Sequence, residues 1–159
     1  MFRLIPAPLH RLALRLAFPL RHKWRQWRAM PLNGCSIVVT DLSGAILMLR
    51  HHYGSQNWSL PGGGVKRGED AEAAALRELK EEVGIDAEQL RLVEVIEDEV
   101  SGSPHICHLF TVTCDQHPVA DNREIAEAKF FPAHSLPEPM SSQARTRLRA
   151  WREWRQEGN

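Results

Sequence analysis

"GGGVKRGEDAEAAALRELKEEVGI", residues 62–85, contains the turn and the helix on which the fold reading rests. Three consecutive glycines, Gly62, Gly63 and Gly64, allow sharp turns and close approach of a ligand to the backbone, at an entropic cost that an ordinary strand-to-helix turn does not require. Asp70 is a good N-cap, so the spacing predicts a helix over about 71–83. At ~100° per residue, Leu76, Leu79 and Val83 share one arc that can pack on a sheet. Glu78, Glu81 and Glu82, at i, i+3 and i+4, share the adjoining arc. Like charges at this spacing each cost about 0.2–0.5 kcal/mol unless neutralised. Arg77 can relieve one of them through an i,i+4 pair with Glu81. A hard divalent cation would relieve all three, because Mg²⁺ takes carboxylate oxygens while keeping water and substrate phosphate. A solvated acidic helix face is the competing reading.

Strand candidates surround this helix. "CSIVVT" (35–40) and "AILMLRH" (45–51) flank the turn "DLSG" and form a hairpin. "NWSLPGGG" (57–64) is a short strand running into the glycines. "LRLVEVIEDEV" (90–100) and "HICHLFTVTC" (105–114) are joined by the turn "SGSP", and "AKFF" (128–131) is a last short strand. Residues 141–157 form a closing helix with Ala144, Leu148 and Trp151 on one face. Strands interleaved with two or three helices predict a mixed α/β layer fold.

The 159 residues are the size of one domain. Their zero net charge is unevenly placed: residues 1–40 carry seven Lys/Arg and no acid, whereas Glu69 to Glu99 holds twelve acids. An acidic middle suits a cation, with phosphate bound through it. Cys35, Cys107 and Cys114 form no CxxC pair, which argues against a disulfide framework or zinc site and fits a cytoplasmic location. No apolar run reaches the ~18 residues of a membrane span. Leu9, Leu12, Leu16 and Leu20 recur at helical spacing in the basic first 32 residues. That segment is expected to be a helical extension packed on the domain or on a second subunit of a homodimer. A membrane-surface helix is the alternative.

From Gly63, five residues lead to Glu69, and seven more to Arg77-Glu78-Leu79; then follow Lys80, Glu81-Glu82, Val83 and Gly84-Ile85. This pattern resembles the Nudix box, glycine-x5-Glu-x7-Arg-Glu-aliphatic-x-Glu-Glu-x-Gly-aliphatic, with every defining position filled. The flanks "WSLPGGG" and "REIAEAKFFPAHSLP" (123–137) also look like the family. The resemblance implies an α/β Nudix fold, a mixed sheet between helices. The domain is expected over 33–140, with residues 141–159 as a helix packed on it. It implies Mg²⁺- or Mn²⁺-dependent hydrolysis of a nucleoside diphosphate linked to another group. Glu78, Glu81 and Glu82 then correspond to metal ligands, Glu69 to an additional contact, and Arg77 to the residue that orients a box glutamate. The carbonyl of Gly62 or Gly63 completes the set.

Outside the box, Glu124 falls where many Nudix enzymes place a loop glutamate as base or ligand; a surface acid is the competing reading. Glu97, Asp98 and Glu99 offer a weaker source of a ligand. Trp58 and Tyr53 present aromatic faces to a base, although large aromatics are usually core packing. His105 and His108, at odd spacing in a strand, face opposite sides and make a poor metal pair. Dinucleoside polyphosphates, ADP-ribose, nucleoside triphosphates and RNA 5′ ends all stay open as substrates. A catalytically silent nucleotide-binding or sensor module is the alternative to an enzyme.

Overall fold

The computed structural model describes residues 32–100 and 102–158. The expected basic N-terminal helix lies outside them. Six strands form one mixed sheet: β1 (Leu32–Thr40), β2 (Ile46–His51), β3 (Gly62–Gly64), β4 (Arg91–Val100), β5 (Ser103–Thr113) and β6 (Ile125–Phe131). The strand order is β4-β5-β1-β2-β6, with β3 paired to β1 off this path. Helices α1 (Ala71–Val83) and α2 (Ser142–Gln156) cover opposite faces.

The central strand explains the layering. Period-two alternation sends Cys35, Ile37 and Val39 into the core beneath α1, and Val38 into the core beneath α2. Leu47 and Leu49 likewise face α1, while Ile46 and Met48 face α2. Both faces are covered, so β1 and β2 read as continuous apolar runs. Helix α1 docks through Ala74, Ala75, Leu79 and Val83, and α2 through Ala144, Leu148 and Trp151. Trp151 Nε1 donates to Thr111 Oγ1 at 3.0 Å, fixing α2 on β5.

The ends of α1 are set by its sequence. Asp70 Oδ2 accepts from the N–H groups of Glu72 and Ala73 at 3.0 and 3.1 Å. Gly84 ends the helix in the left-handed conformation, φ 68°. Both agree with the expected span.

Three strands start earlier than their apolar cores suggest, because pairing partners extend them, whereas the strand expected over 57–64 is laddered only at Gly62–Gly64. β1 starts at Leu32, since it pairs in parallel with β5 from His105 onward. β5 starts at Ser103, so half of the expected turn "SGSP" belongs to the ladder. β6 starts at Ile125, paired with His51. The segment before α1 fills a wedge between β1 and β2. Ser59 exchanges hydrogen bonds with Leu49 at 2.8 and 2.9 Å, and then Gly62–Gly64 crosses to pair antiparallel with Ser36, Cys35 and Gly34. This crossing carries the glycines to the foot of α1.

Candidate active site

The three helix carboxylates are not equivalent. Glu82 is only 8% exposed, and its Oε2 accepts the Gly62 N–H at 3.0 Å. Glu78 lies over Gly63 so closely that a Cβ there would sit 2.5 Å from the Glu78 Cδ. Glu81 stands at the rim, its side chain 62% exposed. Gly62 has φ +145°, and a Cβ on it would meet the Cys35 carbonyl oxygen at 2.2 Å. Two of the glycines are therefore demanded by space, one by β1 and one by Glu78. A Cβ on Gly64 would meet nothing within 4 Å.

Arg77 ties the acids together. Its Nε donates to Glu69 Oε1 at 2.9 Å, and one terminal nitrogen donates to Glu69 Oε2 at 3.1 Å and to the Gly64 carbonyl at 3.2 Å. The other donates to Glu78 Oε1 at 2.7 Å and reaches Glu81 at 3.5 Å. Those hydrogen bonds, with one from the Lys66 N–H, hold the Glu69 carboxyl down at about 2. Burial pushes Glu78 above its ordinary range; Arg77 opposes the shift, and the charges of Glu81 and Glu124 add to it. Burial pushes Glu82 well up, against the Gly62 N–H, with Glu78, Glu124 and Asp121 adding repulsion.

Glu124 thus shares the field of the helix acids, and the loop that brings it there is clamped. Asp121 Oδ1 accepts from the N–H groups of Arg123, Glu124 and Ile125 at 2.9–3.0 Å. The Asp121 N–H donates to the Glu82 carbonyl at 3.1 Å, tying the loop to the end of α1. Tyr53 Oη donates to Glu124 Oε2 at 2.8 Å. Sequence reasoning missed Asp121. Its signal was an Asp three residues before the loop glutamate, the spacing of a side-chain-closed turn.

A cavity of about 500 Å³ adjoins this cluster. Gly62, Gly63, Gly64, His51 and Tyr53 line one end. Trp58 is not among its walls; it packs in the core beneath α2, edge-on to Phe131 with ring centroids 5.0 Å apart. Its neighbours Asn57 and Ser59 line the cavity instead. Asp98 Oδ1 lies 2.6 Å from His105 Nδ1.

A family model for the NUDIX domain matches residues 30–152. The chain belongs to the Nudix hydrolase family. The Nudix box is therefore the loop and helix just described. An RNA pyrophosphohydrolase of Teredinibacter turnerae is 44% identical over 59 residues, 37% of this chain and 34% of that protein. The chain thus spans about a third of the length of the curated relatives it matches. A MutT Nudix hydrolase from Burkholderia pseudomallei superposes with TM-score 0.69 at 25% identity, covering 76% of this chain and 98% of that one. The MutT protein of Methanosarcina mazei Go1 has the same TM-score at 20% identity, covering 81% and 96%, and shares the fold.

Among the described residues, no three His, Cys, Asp or Glu side chains group around one point as metal ligands, and Arg77 sits between the acids. The donor set nevertheless fits a hard divalent cation. Glu78 and Glu82 are oxygen donors whose burial disfavours charge, and a cation would offset that cost. Among the described residues, no helix is long and apolar enough to cross a membrane.

Proposed function

We propose that this Nudix protein is a pyrophosphohydrolase that cleaves the phosphoanhydride of a nucleoside diphosphate derivative with Mg²⁺ or Mn²⁺. The observation that carries this reading is the pair of buried Glu82 and half-buried Glu78 packed against the glycines that also line the cavity. Glu78, Glu81, Glu82 and the carbonyl of Gly62 or Gly63 would hold the cation. Once bound, the cation would neutralise phosphate charge and lower the pKa of an attacking water. Arg77 holds Glu78 in place and is itself held by Glu69. Glu124 is oriented by Tyr53 and by the Asp121 clamp, and we assign it the proton-accepting role on a water. The matched relatives are RNA pyrophosphohydrolases, which favours including RNA 5′ ends among the substrates to be tried.

A screen of nucleoside diphosphate derivatives and 5′-triphosphorylated RNA, with products identified, should give turnover with Mg²⁺ or Mn²⁺ and none in EDTA. Full activity in chelator would overturn the mechanism. Binding without turnover across the panel would instead support the silent nucleotide-binding module. Glu124→Gln keeps the size of the side chain and its bond to Tyr53 but loses the base. It should lower kcat by about 10²-fold, within the range of a lost general base. A near-normal kcat would return Glu124 to a structural role.

A further inference from the structure

Helix α1 is narrower than the sheet it covers. The core beneath it takes in β1, β2 and, on β5, Phe110 and Val112, and no residue of β4 joins it. Beyond Phe110 the same sheet face continues onto β4, which is an edge strand. The register sets Leu92 opposite Phe110, Val95 opposite His108, Glu97 opposite Ile106 and Glu99 opposite Pro104. Directly opposed residues share a face, so these lie on the α1 side. Leu92 is 51% exposed and Val95 45% exposed, and Ile106 belongs to neither core. On the other side of β4, Val93 and Ile96 pack beneath α2. β4 thus carries apolar residues on both faces but has a helix on one, whereas strands of that kind are normally covered twice. The open face is also acidic. Asp98 has His105 and Arg147 beside it, but among the described residues Glu97 and Glu99 have no cation.

The chain that precedes Leu32 enters at this patch. Leu32 pairs with His105, and His105 with Asp98. Two strand spacings put the entry about 10 Å from Asp98. Residues 1–31 contain no acid, and Arg21, Lys23, Arg25 and Arg28 lie in the stretch next to Leu32. Leu20, Leu16, Leu12 and Leu9 lie farther back. The patch has the same order: from the entry, Glu99 and Glu97 come first, then Val95 and Leu92. The lengths agree as well. Leu92 to Glu97 spans about 17 Å of strand, and Leu9 to Leu20 would span about 17 Å as a helix. Opposite charges then meet at one end and apolar side chains at the other. The groove between α2 and the far end of β5 has the wrong sign for this segment, because Arg91 and Arg155 line it. A second copy of the domain would bring the same Glu97 and Glu99 with it.

We propose that residues 1–31 dock on the open β4–β5 face of their own domain, with the cations near Leu32 beside Glu97 and Glu99 and the leucines over Val95 and Leu92. Lys23 is the sole lysine of residues 1–31, so carbodiimide coupling of the full chain, mapped by mass spectrometry, reads where it lies. Lys23 should couple to Glu97 or Glu99. In an equal mixture of isotopically heavy and light protein the coupled peptides should be heavy–heavy or light–light. Val95→Asp would place a charge under the leucines and should lower the melting temperature by about 4 °C or more. Leu12→Asp should also lower it, and the double variant should fall no further than the larger single loss, because both changes break one contact. Lys23 coupling to other acids or to none would overturn the docking. So would additive losses, or a Leu12→Asp variant that melts like wild type. Heavy–light pairs would assign the face to a second copy, and flotation of the full chain with phosphatidylserine vesicles in place of the coupling would assign the segment to a membrane surface; either result overturns the proposal.

Discussion

Glu82→Gln is expected to lower kcat by at least about 10²-fold while raising the melting temperature of the chelated protein at neutral pH. The two effects share one cause. Glu82 is almost fully buried, and burial pushes its pKa well above the ordinary value. The folded chain therefore binds this proton more tightly than the unfolded chain does. Below the ordinary carboxylate pKa both states are protonated and the group has no net effect on stability. As pH rises from there toward the raised folded value, the unfolded chain ionises first and stability falls. Above the folded value the loss is complete. Gln removes that loss and can still accept the Gly62 N–H through its amide oxygen. The gain should be near zero at pH 4 and clear at pH 7.5, at about 2–4 °C per kcal/mol for a chain of this size. The kinetic loss has the scale of a removed charged group positioned for the transition state. Scanning calorimetry in EDTA at the two pH values, beside kinetics in Mg²⁺, checks both halves. A kcat near wild type with unchanged metal affinity would mean that this helix is not a metal site. A lower melting temperature at both pH values would mean that the buried carboxylate is structural.

How much of this was legible in the sequence depends on how local the cause is. The ends of α1 were readable because Asp70 and Gly84 act within one turn of themselves. The acid cluster was readable because i, i+3 and i+4 spacing on a helix is geometry and not context. The two cores were not read from β1 and β2, whose apolar runs are continuous because both of their faces are covered. The parts that stayed hidden depend on residues far apart in the chain. Asp121 holds Glu124 only because its loop lands on the end of α1. Trp58 lies in the core, as large aromatics usually do, and what stayed hidden is that its neighbours Asn57 and Ser59 line the cavity in its place. Asp98, His105 and Arg147 come together from two strands and a helix, and no spacing within any one of them announces it.

The glycine run offers a sharper separation of structure from chemistry than the acids do. Gly62→Ala should cost stability, because the new Cβ would be 2.2 Å from the Cys35 carbonyl oxygen and 2.8 Å from the Ser36 Cα, both backbone of the central strand, at a φ that L-residues rarely adopt. Strain of that kind costs on the order of 3 kcal/mol, or about 6–12 °C in melting temperature. Gly63→Ala meets the free end of a side chain, the Glu78 carboxylate at 2.5 Å, which can swing away. Its fold should suffer less and its kcat more, since displacing a positioned group by about 1 Å can cost on the order of 10²-fold. Gly64→Ala meets nothing within 4 Å and should change stability by no more than about 0.5 kcal/mol. Melting temperatures and kcat for the three variants give the comparison. If Gly63→Ala keeps full activity, Glu78 need not sit against β3 to function, and the glycine strand serves the fold alone. If Gly62→Ala melts like wild type, β3 can leave β1 without loss, and the Gly62 N–H is not what holds Glu82 in place.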